Sequence, residues 1–187
     1  MTPAANVGGS ERLRLFCALR LPAPTVDRLA AWQGQELTGI DGVRPTPTEH
    51  LHITVAFLGS RPAADVEGVA AAVRQSAKEA GRPMLRVASY RETPRVAMVV
   101  LAEDEPRHAH VLAGRLMLRL EELGVYRREY RSWLAHVTVA RFRSRPRLSP
   151  PLPELGPVCP SELALYHSLL RPAGAQYEVL ESVALDA

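Results

Sequence analysis

Short runs of alternating apolar and polar residues, the pattern of half-buried strands, recur along this chain of 187 residues. Between them, apolar residues spaced three and four positions apart predict helices instead. Strands are predicted at 13–20, 51–58, 84–90, 96–101, 133–142, 162–170 and 177–185. Helices are predicted at 26–37, 63–80 and 107–123, with Thr25 as N-cap of the first and Gly81 and Gly124 closing the others.

The order of these elements repeats. A strand containing His-x-Thr, a helix and two strands in the first half are echoed by a helix, a His-x-Thr strand and two strands in the second. Mixed order of this kind predicts an α+β or α/β sandwich of two related lobes. Residues 1–10 are expected to be a flexible N-terminus ahead of a single domain at 11–187.

Composition is that of a folded protein, with 47% hydrophobic and 23% charged residues. The longest strongly apolar stretch, Val96 to Ala102, is too short to span a bilayer, and the first thirty residues carry no secretory signal. The expected location is therefore the cytoplasm, with no membrane contact. Cys17 and Cys159 are expected to be reduced structural residues, because neither belongs to a C-x-x-C pair.

The formal net charge is +3, and Lys78 is the only lysine, so arginine carries the basic excess. Arginine's planar fork suits bidentate contacts with phosphate, which favours an anionic ligand. An alternative explanation of the same bias is a high-GC genome, and composition alone does not choose between them.

Two strands contain a histidine followed two residues later by a threonine. Because side chains alternate in a strand, each histidine shares one face with its threonine, while the valines and isoleucine between them share the other. One such tripeptide is a weak signal; two, each in an alternating strand, are a fairly strong one. The segments are Leu51-His52-Ile53-Thr54-Val55-Ala56-Phe57 and Ala135-His136-Val137-Thr138-Val139-Ala140-Arg141.

This pairing suits the cleavage of a cyclic phosphodiester, which needs a base to activate water and an acid to protonate the departing oxygen. Imidazole supplies either form near neutral pH. The neighbouring threonine hydroxyls can hold the non-bridging phosphate oxygens. These groups provide acid, base and anion stabilisation by themselves, so no cofactor and no metal are expected.

At these residues the chain resembles the two-histidine phosphoesterase superfamily, and within it the bacterial and archaeal RNA 2′,3′-cyclic phosphodiesterases, also called 2′-5′ RNA ligases. The resemblance spans nearly the whole chain. Besides both motifs it rests on Arg14 to Leu19, Glu49 to Leu51, Phe57 to Gly59, Arg141, and Leu165 to Ser168 before Tyr177.

The resemblance implies an α+β, bilobal fold: two pseudo-symmetric lobes whose antiparallel-rich sheets face a central cleft, with helices outside. It implies hydrolysis of RNA 2′,3′-cyclic ends to 2′-phosphates, ATP-independent 2′-5′ joining, and a monomer whose partner is such an RNA, tRNA halves among the candidates. It makes His52 the general acid and His136 the general base, and has Thr54, Thr138 and Arg141 bind phosphate. The motifs themselves do not say which histidine is which.

The roles of several other residues near the motifs are not decided by the sequence. Strict alternation puts Arg141 on the face opposite His136 unless the strand bulges, so Arg143 is a second candidate. Phe16 and Tyr166 are candidates for stacking on a nucleobase, with a core role for Phe16 at least as well supported. His50 is expected in a solvent-facing loop.

Several alternatives share parts of this pattern. An enzyme of the same superfamily acting on small cyclic nucleotides or ADP-ribose cyclic phosphate would carry the same motifs. A non-catalytic RNA-binding module would keep the basic charge without turnover. A zinc hydrolase is disfavoured because no third ligand stands at suitable spacing, and ATP-dependent ligation because no G-x-x-x-x-G-K-[ST] loop is present.

Overall fold

The computed structural model describes residues 11–128, 130, 132–172 and 174–185. The predicted division into residues 1–10 and a domain at 11–187 stays a prediction, because residues 1–10 lie outside the described residues. In chain order the elements are β1 (Arg12–Arg20), α1 (Ala23–Glu36), β2 (Val43–Pro45), β3 (His52–Pro62), α2 (Val66–Lys78), β4 (Leu85–Glu92), β5 (Val96–Glu103), α3 (His108–Glu122), β6 (His136–Phe142), β7 (Glu162–Arg171) and β8 (Gly174–Ala184).

The strands form one curled antiparallel sheet in the order β4-β5-β6-β3-β1-β7-β8, with β2 paired to β6. Its two halves, each of four strands, meet where β3 pairs with β6 through a single residue pair, Ile53 with Val137. Each half therefore contributes one His-x-Thr strand to this seam. The predicted α+β fold, rich in antiparallel strands and with its helices outside, is confirmed, and the two predicted sheets are halves of one continuous curled sheet.

The hydrophobic core lies between one face of the sheet and the three helices. Along β1, Leu15, Cys17 and Leu19 face this core, where they join Leu29 of α1 and Leu116 of α3. Burial of each such leucine contributes about 1.5–3 kcal/mol. The alternate residues of β1 lie on the opposite side of the sheet, which we call the open face, and both His-x-Thr motifs share that side.

Two local predictions differ from the structure. Thr25 is not the N-cap of α1, because the helix starts at Ala23 and the amide of Thr25 already donates to the carbonyl of Pro22. Pro24 is tolerated there because a first-turn residue needs no intrahelical N–H bond. Strand β3 continues to Pro62, beyond the predicted end, because its pairing with β1 resumes at Gly59 after one unpaired residue, Leu58.

Both cysteines are free, and burial raises the pKa of the Cys17 thiol to about 12. Among the described helices, none has the length and apolar character needed to cross a membrane.

Candidate active site

The two histidines and two threonines lie on the open face, as the alternation of each strand predicts. The intervening Ile53 and Val137 are buried on the core side, whereas the His-x-Thr side chains are half-buried. The antiparallel register of Ile53 with Val137 places His52 opposite Thr138 and Thr54 opposite His136. The charge of His136 lowers the pKa of His52 across the seam, so the two motifs face one shared site.

The His52 imidazole is held from two sides. Its Nε2 lies 3.1 Å from Thr54 Oγ1. The other ring nitrogen, Nδ1, therefore makes the hydrogen bond with the backbone of His50. Burial lowers the pKa of His52 to about 4, helped by the charges of His50, His136 and Arg141, while the backbone bond opposes the shift. His52 is therefore neutral at pH 7, and Nε2 accepts from the threonine hydroxyl.

His136 is oriented in the same manner. Its Nδ1 donates to the carbonyl oxygen of Leu134 at 2.8 Å, which leaves Nε2 free to face the site. Both histidines thus bond to the backbone of the residue two positions earlier, His50 for one and Leu134 for the other. This shared geometry makes the two motifs equivalent by shape as well as by sequence.

Each motif strand carries a bulge directly after its threonine. In β3 the register with β1 shifts so that Val55 is extra, and in β6 the register with β5 shifts so that Val139 is extra. An extra residue reverses the parity of everything beyond it. Phe57 and Arg141, which follow the two bulges, consequently return to the open face beside the histidines.

Strict alternation would place Arg141 on the face opposite His136, and the bulge at Val139 returns it to the open face. The charge of Arg141 is among those that lower the pKa of His52, so the guanidinium lies within electrostatic reach of the site. Arg143 lies beyond the end of β6, where its carbonyl accepts a bond from Arg95. The equivalent residue of the first motif, Phe57, has a side chain that is 70% exposed.

An aromatic layer lies against His52. Phe16 is 2% exposed, stacks on Tyr166 with ring centroids 4.9 Å apart, and lies 5.2 Å from the His52 ring. Tyr166 is 8% exposed. For Phe16 this burial favours the packing role over direct stacking on a nucleobase, and Tyr166 offers little more free surface.

Two residues of this layer were missed or misjudged from sequence. Tyr177 packs edge-on to Phe16 at 4.9 Å, and His50 lies 4.3 Å from the Tyr177 ring. His50 is half-buried rather than solvent-facing, so that prediction is wrong. The available signal was its parity, since His50 stands two residues before His52.

One cavity lies beside the site and a larger one lies away from it. One of about 470 Å³, bounded by His50 and Tyr177, lies beside the aromatic layer. A larger one of about 850 Å³ lies between the start of β4 and the segment 153–159, and no His-x-Thr residue lines it. Within the described ranges, no three histidine, cysteine, aspartate or glutamate side chains are placed to hold a metal ion.

Comparisons with known proteins agree with this geometry. The model of the LigT-like phosphoesterase family matches residues 19–96. The chain is 33% identical to an RNA 2′,3′-cyclic phosphodiesterase of Thermus thermophilus, an alignment covering 92% of this chain and 90% of that protein.

Solved structures show the same fold. The crystal structure of Escherichia coli LigT superimposes with a TM-score of 0.76 at 25% identity, covering 94% of this chain and 98% of that one. A further crystal structure, of a Thermus thermophilus protein, matches with a TM-score of 0.72 at 28% identity, covering 92% of this chain and 98% of that one.

Proposed function

The chain belongs to the family of LigT-like RNA 2′,3′-cyclic phosphodiesterases, and we propose that it hydrolyses RNA 2′,3′-cyclic phosphate ends to 2′-phosphates by acid–base catalysis between His52 and His136. The observation that carries the proposal is the crossed arrangement at the seam, in which each histidine faces the threonine of the other motif. Two imidazoles and two hydroxyls then surround the space where a phosphate would lie.

The chemistry needs these groups on opposite sides of phosphorus. In an in-line displacement, the attacking water and the leaving oxygen lie roughly in line through the phosphorus atom. We assign His136 to accept the water proton at Nε2, and His52 to donate a proton to the leaving 3′ oxygen. One P–O bond forms to water, the P–O3′ bond breaks, and the phosphate stays on the 2′ oxygen.

Donation by His52 requires that the substrate change its protonation. Burial and nearby positive charge keep His52 neutral. A bound phosphodiester brings a negative charge within a few ångströms, which favours the imidazolium and raises the pKa. On protonation, Thr54 no longer donates to His52 and its hydroxyl becomes free to turn to a phosphate oxygen.

The remaining phosphate contacts follow from the register. Thr54 and Thr138 hold non-bridging oxygens, and Arg141 neutralises charge as it accumulates. On the other side, the exposed ring of Phe57 offers a stacking surface for the terminal base. Phe16 and Tyr166 then support His52 from beneath instead of contacting the base.

The same site would join RNA ends without ATP. If a 5′-hydroxyl replaces water as nucleophile, its oxygen bonds to phosphorus, the 3′ oxygen leaves, and a 2′-5′ linkage results. Action on RNA ends such as tRNA halves, by a cytoplasmic monomer, is the setting we predict for this reaction.

A substrate panel tests the proposal. Purified protein in EDTA is incubated with an RNA oligonucleotide ending in a 2′,3′-cyclic phosphate, a nucleoside 2′,3′-cyclic phosphate, and ADP-ribose cyclic phosphate. We expect conversion of the RNA to a 2′-phosphate, with efficiency highest for the oligonucleotide. RNA binding without turnover would point to a non-catalytic module, and turnover confined to the small compounds to the other superfamily activities.

A further inference from the structure

Three arginines lie on the open face in the half of the sheet that carries His136. Arg91 of β4 pairs with Met98 of β5, which pairs in turn with Thr138. Residues paired in this way point to the same side of the sheet, so Arg91 shares the face of the catalytic group. Arg44 of β2 stands directly opposite Arg141 on that face.

These arginines carry uncompensated charge. All three side chains are exposed, and none has an ion-pair partner among the residues described here. Arg145 differs, since Glu92 accepts a hydrogen bond from its guanidinium at 3.1 Å. Unpaired positive charge gathered on one side of a reactive site attracts an anionic chain.

The spacing suits a strand of RNA. Neighbouring strands lie about 4.8 Å apart, so Arg91 is roughly 10 Å from Thr138 and Arg44 is one strand from Arg141. Between Arg91 and Thr138 the floor is the apolar Met98 side chain, which is buried. A phosphate held between the two threonines would therefore have two further arginines within one or two nucleotides.

The opposite half of the open face has different chemistry. Its exposed aromatic side chain is Phe57, which is 70% exposed and lies 5.9 Å from the buried ring of Phe16. Of the arginines on this face of β1, Arg20 is paired with Glu162 at 2.5 Å and Arg12 donates to Ser60, whereas Arg14 is exposed. Bases are favoured on the aromatic half and phosphates on the arginine half, which gives a bound strand a direction.

We propose that Arg44 and Arg91 bind backbone phosphates on the 5′ side of the reacting end, so that the enzyme selects a polynucleotide over a small cyclic nucleotide. The proposal rests on the proposed function, because it places the cyclic phosphate at the seam. It adds two binding residues that the catalytic chemistry does not require.

The test compares two substrates across salt concentrations. For Arg44→Gln, Arg91→Gln and the control Arg82→Gln, kcat/KM is measured on the cyclic-phosphate oligonucleotide and on the nucleoside cyclic phosphate. Arg82 is an exposed arginine in the loop before β4, lining the distant cavity. In parallel, binding of a labelled RNA ending in a 2′-phosphate is followed by fluorescence anisotropy, which needs no turnover.

In Arg44→Gln and Arg91→Gln we expect the ratio of oligonucleotide to nucleoside kcat/KM to fall by about 2- to 10-fold. The slope of log affinity against log salt should decrease by about 0.7 per arginine removed, and Arg82→Gln should match wild type. Unchanged ratio and slope in both variants would overturn the proposal while leaving the catalytic assignment intact. Absence of turnover in the wild type, with the salt slope still reduced in Arg44→Gln and Arg91→Gln, would instead reject the proposed function and keep the binding face.

Discussion

Trp133 and Thr54 are joined across the seam of the sheet, where the indole Nε1 donates to the carbonyl oxygen of Thr54 at 2.9 Å. Trp133 directly precedes Leu134, whose carbonyl orients His136. The ring is also packed edge-on against His110, which lies 3.1 Å from a carboxylate oxygen of Glu103. One indole hydrogen bond thus ties the segment that positions His136 to the strand that carries the first motif.

Removing that N–H should lower kcat as well as the free energy of unfolding. Trp133→Phe keeps an aromatic ring but loses the bond, which costs about 1 kcal/mol of unfolding free energy. We expect kcat to fall about tenfold with KM little changed, because a small displacement of His136 weakens proton transfer. Steady-state kinetics and urea denaturation of the same variant check this.

The second tryptophan provides the matched control. Trp32 Nε1 donates to the carbonyl of Pro151 at 2.8 Å, and neither residue belongs to a His-x-Thr strand. Trp32→Phe should lose a similar free energy of unfolding and keep its kcat. Equal losses of kcat in both variants would mean that Trp133 acts on stability alone.

Acid should destabilise the protein through His52. Its folded pKa of about 4 lies below the unfolded value near 6.5, so the unfolded chain binds the extra proton between these limits. The stabilisation is fully present above pH 6.5 and is lost as pH falls toward 4, by up to about 3 kcal/mol. His52→Asn should remove this part of the pH dependence.

The measurement is the difference in unfolding free energy between wild type and His52→Asn at several pH values. Other titrating groups cancel in that difference, because they are common to both proteins. A difference that stays constant from pH 7 to pH 4 would contradict the lowered pKa. NMR titration of the His52 ring gives the same answer directly.

The acid and base roles can be separated with a modified substrate. In a cyclic phosphate whose bridging 3′ oxygen is replaced by sulfur, the leaving thiolate needs little protonation. His52→Ala should then regain most of its lost rate, while His136→Ala should stay impaired because water still needs a base. Recovery by His136→Ala instead would exchange the two roles, an outcome that the low pKa of His52 makes worth testing.

Phe57 should matter for substrate binding and not for folding. Its ring is 70% exposed, so Phe57→Ala is expected to change stability by less than about 0.5 kcal/mol. Loss of a stacked base costs about 1–3 kcal/mol, which predicts a rise in KM of at least fivefold. Leu118→Ala, a truncation of another exposed apolar side chain on α3, should leave KM unaltered; an equal KM in the two variants would remove Phe57 from the site.

Much of this architecture could be predicted from sequence, because alternation and helical spacing are local patterns. Both His-x-Thr strands and the three helices are where those patterns place them, within a few residues. Strand β2 was not predicted, because its three residues, Val43–Pro45, are too few to show the two-residue alternation of a strand. The prediction of Thr25 as N-cap was wrong because the helix begins two residues earlier, at Ala23, and accepts Pro24 in its first turn.

What could not be predicted depends on partners distant in the chain. The bulges at Val55 and Val139 exist only relative to the strands beside them, so parity alone put Arg141 on the wrong face. The packing of His50 on Tyr177 and the bond from Trp133 to Thr54 likewise join segments far apart in sequence. The family resemblance implied a phosphate-binding role for Arg141 but not how its side chain reaches the site. The bulge at Val139 explains this.

The most direct test of the central claim is the rate at which His52→Ala, His136→Ala and the double variant open a 2′,3′-cyclic RNA end in EDTA, with His108→Ala as control. We expect each single variant to lose about 10²- to 10⁴-fold in kcat, the double variant to lose less than the product of both, and the control to keep wild-type activity. Wild-type kcat in the double variant would contradict the claim that these two histidines do the chemistry.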